Sequence, residues 1–313
     1  MTETVSIAVG LAHETWGNDG RIFEYTAAVD PIRSGVISRV PLEQFPPDHG
    51  PTEGFAAFDC SAALGVEFLA TTPSLTAGYV RLGPDASVDL DAPATSRLLF
   101  VLAGTADVAV GDARWTVQHG DLFVVPGVEP LTVRTTTESV WMYSVDDRAL
   151  LAYLGVQPTA ERFAPTHYPA GVLDAALADV AAAPEAATRN RVSVLLGNRV
   201  IDDTLTVTRT LWAMYGLLPV DAVQRAHRHQ SVAVDLIIDA APGCYTLVGA
   251  EVDPHGEIIE PTRVDWESGG VFITPPGLWH SHHNESGRVA RLLPIQDAGL
   301  QTYLRTLDIR FVR

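Results

Sequence analysis

The stretch Gly269-Gly-Val-Phe-Ile-Thr-Pro275-Pro-Gly277-Leu-Trp-His280-Ser-His-His-Asn284, taken with Ala226-His227-Arg228-His229 upstream, carries more information than any other part of this chain. His227 and His229 are two residues apart, so on a strand both rings point to one face. His280 follows Pro275 and Gly277, residues that punctuate a turn and let a third ring swing toward the first two. Three neutral imidazoles converging inside a barrel form a facial metal site with open positions, a frame for activating O2 or a chelating substrate.

Composition narrows the partners. The 313 residues suffice for two domains, each with its own core, and 47% hydrophobic with 19% charged content is that of a globular protein. With 38 acids against 21 basic residues the formal net charge is -17, which disfavours nucleic acid and anionic membranes. No run approaches the roughly 18 consecutive apolar residues of a membrane span, and the N-terminus shows no basic segment leading into an apolar one. Cys60 and Cys244 are the only cysteines, which excludes a disulfide framework and fits reduced thiols in a cytoplasmic protein.

Strand-like runs dominate on both sides of one helical stretch. Val66–Ala70, Gly78–Leu82, Arg97–Leu102, Leu122–Val125 and Val140–Val145 precede it; Thr204–Trp212, Ser231–Ile238, Val271–Thr274 and Ala290–Pro294 follow. Between them, Gly171–Ala183 places Val172, Leu173, Ala176, Leu177 and Val180 on one helical face, and Pro184 marks the stop. The pattern predicts an all-β chain: an irregular arm over residues 1–60, a barrel over 61–150, a helical linker over 151–190 and a second barrel over 191–313. The Pro- and Gly-rich arm is suited to covering a neighbouring barrel or subunit.

The halves repeat. Gly120-Asp-Leu-Phe-Val-Val-Pro126 aligns without a gap on Gly269-Gly-Val-Phe-Ile-Thr-Pro275, and the same register puts Leu131 where the second half has His280. Asp89-Leu-Asp91 precedes an apolar strand much as His227-Arg-His229 does. An internal duplication in which one copy keeps the histidines accounts for this.

These residues resemble the cupin family, and the chain resembles a bicupin: two double-stranded β-helix, or jelly-roll, barrels joined by a short helical linker. Gly269, Pro275, Gly277, His280 and Asn284 meet every term of the second cupin motif. The first motif keeps His227 and His229, but Asp221 stands for its leading Gly, its closing Gly is displaced to about Gly243, and its carboxylate ligand would fall at Ala233 or Val234. Asp235, one residue beyond, reaches the metal only if that turn is longer. The second half is similar to the metal-binding cupin of gentisate 1,2-dioxygenases and their salicylate and hydroxynaphthoate relatives, in Ala226-His-Arg-His-Gln-Ser231, Trp279-His-Ser-His-His-Asn-Glu285 and Tyr303-Leu-Arg-Thr-Leu-Asp-Ile309. Two differences stand out: the metal-bearing cupin is the C-terminal one here, and Arg305 replaces an acid of the downstream strand.

The resemblance implies His227, His229 and His280 as metal ligands, with His282 contacting substrate or oxygen as a catalytic group. Arg225 shares strand parity with the histidines and is a candidate for the substrate carboxylate, with Arg291 and Arg209 as alternatives. Trp279 and Trp212 are candidate pocket walls. His49, His119, His167, His255 and His283 receive no role. The expected cofactor is Fe(II), with Mn(II), Zn(II) or Ni(II) as alternatives, and O2 the co-substrate. The implied function is a mononuclear Fe(II) dioxygenase acting on a small hydroxylated aromatic carboxylate, an anionic substrate that chelates through hydroxyl and carboxylate. A non-oxidative cupin hydrolase, isomerase or lyase, and a non-catalytic metabolite-binding bicupin, are the alternatives. By analogy with the family the chain forms a homo-dimer or homo-tetramer.

Overall fold

The computed structural model describes residues 20–312, so the first part of the predicted arm lies outside the described residues. Every strand pair is antiparallel, and no sheet closes on itself among the described residues. Each expected barrel is instead a pair of open sheets packed face to face.

The N-terminal half is organised by one 15-residue strand, Ser96–Val110. Its first part pairs with Leu122–Pro126 and Val140–Asp146, its second with Ala113–Gln118 and Leu131–Arg134. The register slips between Val101 and Ala103, and Gly104 follows at φ +80°. A Cβ there would lie 1.9 Å from the Ser139 carbonyl oxygen, so only glycine permits this bend between the two sheets.

The C-terminal half pairs a six-stranded sheet with a five-stranded one. The first runs Gln44–Phe45, Val271–Thr274, Ala233–Asp239, Ala290–Gln296, Trp212–Leu218, Val192–Leu196; the second runs Thr262–Asp265, Cys244–Gly249, Trp279–Asn284, Val223–His229, Ile309–Phe311. Strand alternation divides the six-stranded sheet. Val234, Leu236, Ile273, Ala213 and Tyr215 join the large core shared with the N-terminal half, whereas Ile237, Phe272, Leu218 and Leu292 meet Cys244, Val264 and Trp266 of the facing sheet. Gly269 marks close approach of the halves: it has φ +81°, a Cβ would sit 2.3 Å from the Trp141 ring, and its carbonyl accepts from the Tyr79 hydroxyl.

Of the two places expected for the arm, a neighbouring barrel or a subunit, Gln44–Phe45 takes the first by pairing with Val271–Phe272, while Gly54–Ala57 already belongs to the N-terminal sheet. Other expectations need correction. The linker is more than helical: Arg148–Leu154 and Ala170–Ala182 are helices, but Thr166–Tyr168 adds a strand to the N-terminal sheet. In the longer helix Leu173 and Leu177 are buried, while Val172 is 60% exposed, on the wrong side of the apolar stripe. Val66–Ala70 forms no strand, since the chain leaves helix Ser61–Leu64 through left-handed Gly65 into bends. Thr204–Leu211 is likewise coil. Its hydroxyls satisfy local groups, as Thr208 Oγ1 does for Leu211 N–H, and Leu205 sits at φ +54°.

Candidate metal centre

Two neighbouring strands of the five-stranded sheet, Val223–His229 and Trp279–Asn284, position the histidines. His227 lies directly opposite His280. Period-2 alternation then brings His229 and His282 to the same inner face, and all four rings are buried. Ring centroids are 4.1 Å apart for His227–His280, 4.9 Å for His229–His280, 5.7 Å for His280–His282 and 6.2 Å for His227–His229.

Hydrogen bonds fix which nitrogen of each ring is free. Nδ1 of His227 faces the Arg225 carbonyl at 3.2 Å, Nδ1 of His229 the Ser231 carbonyl at 2.8 Å, and Nδ1 of His280 the Leu278 carbonyl at 3.2 Å. A carbonyl only accepts, so each Nδ1 carries the proton and each Nε2 keeps a lone pair. Burial pushes all three rings below the usual histidine range, His229 to about 4, so they are neutral at pH 7. Three neutral rings with oriented lone pairs are the donor set a divalent transition metal takes.

His282 differs. Its Nδ1 lies 2.8 Å from Thr246 Oγ1, which accepts from the Trp266 indole N–H at 2.8 Å. A hydroxyl can donate or accept, so this ring can hold its proton on either nitrogen. Nitrogen spacing groups His227, His280 and His282 within 4.8 Å of one another, whereas ring spacing places His229 closer to His280 than His282 is. The locked tautomer of His229 makes it the better third ligand, although its Nε2 is 3.4 Å from the Gln296 amide nitrogen.

A cation missed in the sequence stands beside the rings. Arg191, one residue before the strand Val192–Leu196, places Nη2 3.5 Å from His227 Nε2 and Nη1 3.4 Å from Met214 Sδ. With the Gln224 amide oxygen facing it, Gln224 accepts from Arg191 Nε at 2.9 Å and Nη2 at 3.1 Å. None of these three hydrogen-bond partners is charged; the carboxyl that acts on Arg191 through space is Asp235. Asn190 pins the segment by accepting from the Arg225 backbone N–H at 3.0 Å. The signal available in the sequence was alternation, since Val192 and Leu196 join the inter-half core and Arg191 must face the other way. Asp235 also faces the histidine side. Burial raises its carboxyl to about 6, Thr274 donates to it, and no histidine contacts it. It is therefore not a ligand in this arrangement.

The other expected substrate residues fare differently. Arg225 is exposed because the register shifts between Gln224 and His227, and this bulge turns Gln224 inward instead. Arg291 pairs with Asp174 of helix Ala170–Ala182 and with the Tyr215 hydroxyl, tying that helix to the sheet. Trp279 neighbours His280 and so faces outward, where Arg228 stacks 5.2 Å from its ring. Trp212 shares the face of Met214, opposite the core residues Ala213 and Tyr215, and its buried indole N–H has no partner among the described residues. Arg209 lines a separate cavity.

In the N-terminal half Leu90 lies opposite Leu131 where His227 meets His280. Asp89 is one residue out of that register and accepts from Thr132 at the surface. The fully buried Arg97 guanidinium donates to the Leu90 carbonyl at 2.7 Å, the Ala92 carbonyl at 2.9 Å and Asp146 at 3.2 Å. Apolar core residues thus stand where the second half has the histidines, with an internal cation holding the backbone beside them.

No protein-family model matches the sequence, and no curated protein is significantly similar to it. Solved structures do match. A salicylate 1,2-dioxygenase of Pseudoaminobacter salicylatoxidans, as its gentisate adduct, superposes with TM-score 0.70 at 14% identity over 93% of this chain and 90% of that one. A further structure of that enzyme gives TM-score 0.68 at 14% identity over 88% of each chain. The oxalate decarboxylase of Bacillus subtilis gives TM-score 0.55 at 14% identity over 83% and 78%. On this likeness and on the motifs around His227 and His280, the chain has the cupin fold and resembles the gentisate and salicylate dioxygenases.

Proposed function

We propose that this chain is a bicupin whose C-terminal half is a mononuclear Fe(II) dioxygenase acting with O2 on a small hydroxylated aromatic carboxylate. What carries the reading is the guanidinium of Arg191, within reach of the histidine cluster and hydrogen-bonded only to neutral groups. With Asp235 as the one carboxyl acting on it, and that carboxyl held by Thr274, its donors can take an anionic ligand.

His227, His229 and His280 would hold the metal, which supplies a Lewis-acidic centre with positions open to substrate and O2. Arg191 binds the substrate carboxylate and orients the ring. The Trp212 N–H, unpaired among the described residues, is a further donor on the strand face it shares with Met214, the residue that Arg191 touches. His282 moves protons, because its Thr246 partner permits both tautomers while the other three rings are locked. The four imidazoles are buried, and burial strengthens each electrostatic contact they make.

The test is metal analysis of anaerobically handled protein together with an oxygen-electrode trace on adding gentisate, salicylate or 1-hydroxy-2-naphthoate. Stoichiometric iron with substrate-dependent O2 uptake is the expected result. Zinc, manganese or nickel, with no uptake after iron reconstitution, would move the reaction to Lewis-acid chemistry.

A further inference from the structure

The seam between the two halves contains a cavity of about 460 Å³ that shares no residue with the histidine cluster. That volume is in the range of small-ligand sites, roughly 300–1,000 Å³. Three parts of the chain build it: the start of strand Ser96–Val110, the connection around 157–163, and the 201–210 loop with helix Ala298–Leu304.

Its walls have two characters. Phe163 and Ile201 are buried apolar floor, and Pro158, Leu300 and Tyr303 extend that surface toward the mouth. Ser96 and Thr210 are buried as well, but their hydroxyls are already engaged: Ser96 Oγ is 2.9 Å from Thr208 Oγ1 and 3.2 Å from Thr210 Oγ1. Thr95 is tied to Asp147. The floor therefore asks for an apolar body rather than for more hydrogen bonds.

The rim asks for an anion. Arg162 and Arg209 both line the cavity, and neither makes a hydrogen bond or ion pair among the described residues. The chain has 38 acids against 21 basic residues, all of them arginine. Arg97, Arg148, Arg263, Arg288, Arg291 and Arg310 each have a carboxylate partner. Asp203 also lies on the rim. Two guanidinium groups and one carboxylate leave one net positive charge, which fits a monoanion better than a phosphate dianion.

We infer that the seam binds a small monocarboxylate with an apolar body, its carboxylate held by the Arg162 and Arg209 guanidinium groups. 1-Naphthoate is the probe, titrated calorimetrically into the metal-loaded wild type, an Arg191→Ala variant and an Arg162→Ala/Arg209→Ala variant. Both rim arginines are exposed, so the double variant keeps the wild-type melting temperature. One saturable binding event should persist in Arg191→Ala and weaken at least tenfold in the double variant. The neutral 1-naphthamide should bind all three proteins equally weakly. Loss in Arg191→Ala with retention in the double variant would assign the event to the histidine site and overturn the inference. So would absence of saturable binding, or a double variant that dissociates a dimer whose seam refuses naphthoate, which would make a second copy the occupant.

Discussion

At the residue scale the site is governed by which nitrogen of each ring is tied down and by one cation. His227, His229 and His280 have backbone carbonyls on Nδ1, so His280→Ala should lose bound metal. His282→Ala should keep the metal but lose turnover by about 100-fold or more, the usual reach of a proton-transfer group. Metal content and steady-state rate of the two variants separate ligand from proton carrier. Arg191 acts in two senses. Its charge beside His227 Nε2 opposes a bare cation and favours a cation that arrives with an anion. Arg191→Ala should therefore bind metal alone more tightly, yet bind a carboxylate ligand about 10- to 100-fold more weakly, or about 1.5–3 kcal/mol. Metal titration with and without salicylate measures both, and equal shifts in the two would contradict the assignment.

At the element scale the strands decide which side chains reach the interior. The motif Gly269, Pro275, Gly277, His280, Asn284 was fully legible because each residue has a local physical task. Asn284 shows this: its amide donates to the Leu218, Pro219 and Arg288 carbonyls, and its oxygen accepts from Ser286. Asn284→Ala leaves several buried groups unpaired and should cost about 2–4 kcal/mol, read from the urea midpoint. Parity was legible only where strands are regular. The bulge between Gln224 and His227 exchanged Arg225 for Gln224, and nothing in the sequence marks a bulge without a glycine. Arg191 went unseen because it precedes its strand, where alternation has only begun. The threonine run Thr204–Thr210 satisfied β-propensity but spends its hydroxyls on turns, and local hydrogen bonding overrode propensity there.

At the scale of the whole molecule, burial of neutral rings ties stability to pH. His227, His280 and His282 are held well below the usual range by burial, and His229 at about 4. Below pH 6.5 the unfolded chain takes up protons that the folded chain refuses, so stability falls on acidification by up to about 1.4 kcal/mol per pH unit for each ring. Asp147, Asp235 and Asp297 oppose this, since burial raises all three, the last two to about 6, and the folded chain binds their protons first. Their contribution is present at low pH and lost as pH rises through their folded values, about 6 for Asp235 and Asp297. The four rings outnumber the three carboxyls, so the urea midpoint of the metal-free protein should drop between pH 6.5 and 5. A flat or rising midpoint would show that the rings are not buried neutral. In Asp235→Asn that drop should steepen, because one opposing group is gone.

The pairing of Gln44–Phe45 with Val271–Phe272 also sets an order of events during synthesis. The arm emerges from the ribosome long before its partner strand exists, so residues 44–45 must wait, unpaired, for more than two hundred further residues. The two halves are thus not separable goods. A gene fragment starting after residue 60 would yield a C-terminal half with a bare sheet edge along Val271–Thr274, open to pairing with its own copies. The arm carried from one half onto the sheet of the other thus joins the shared core in tying the two halves to one another.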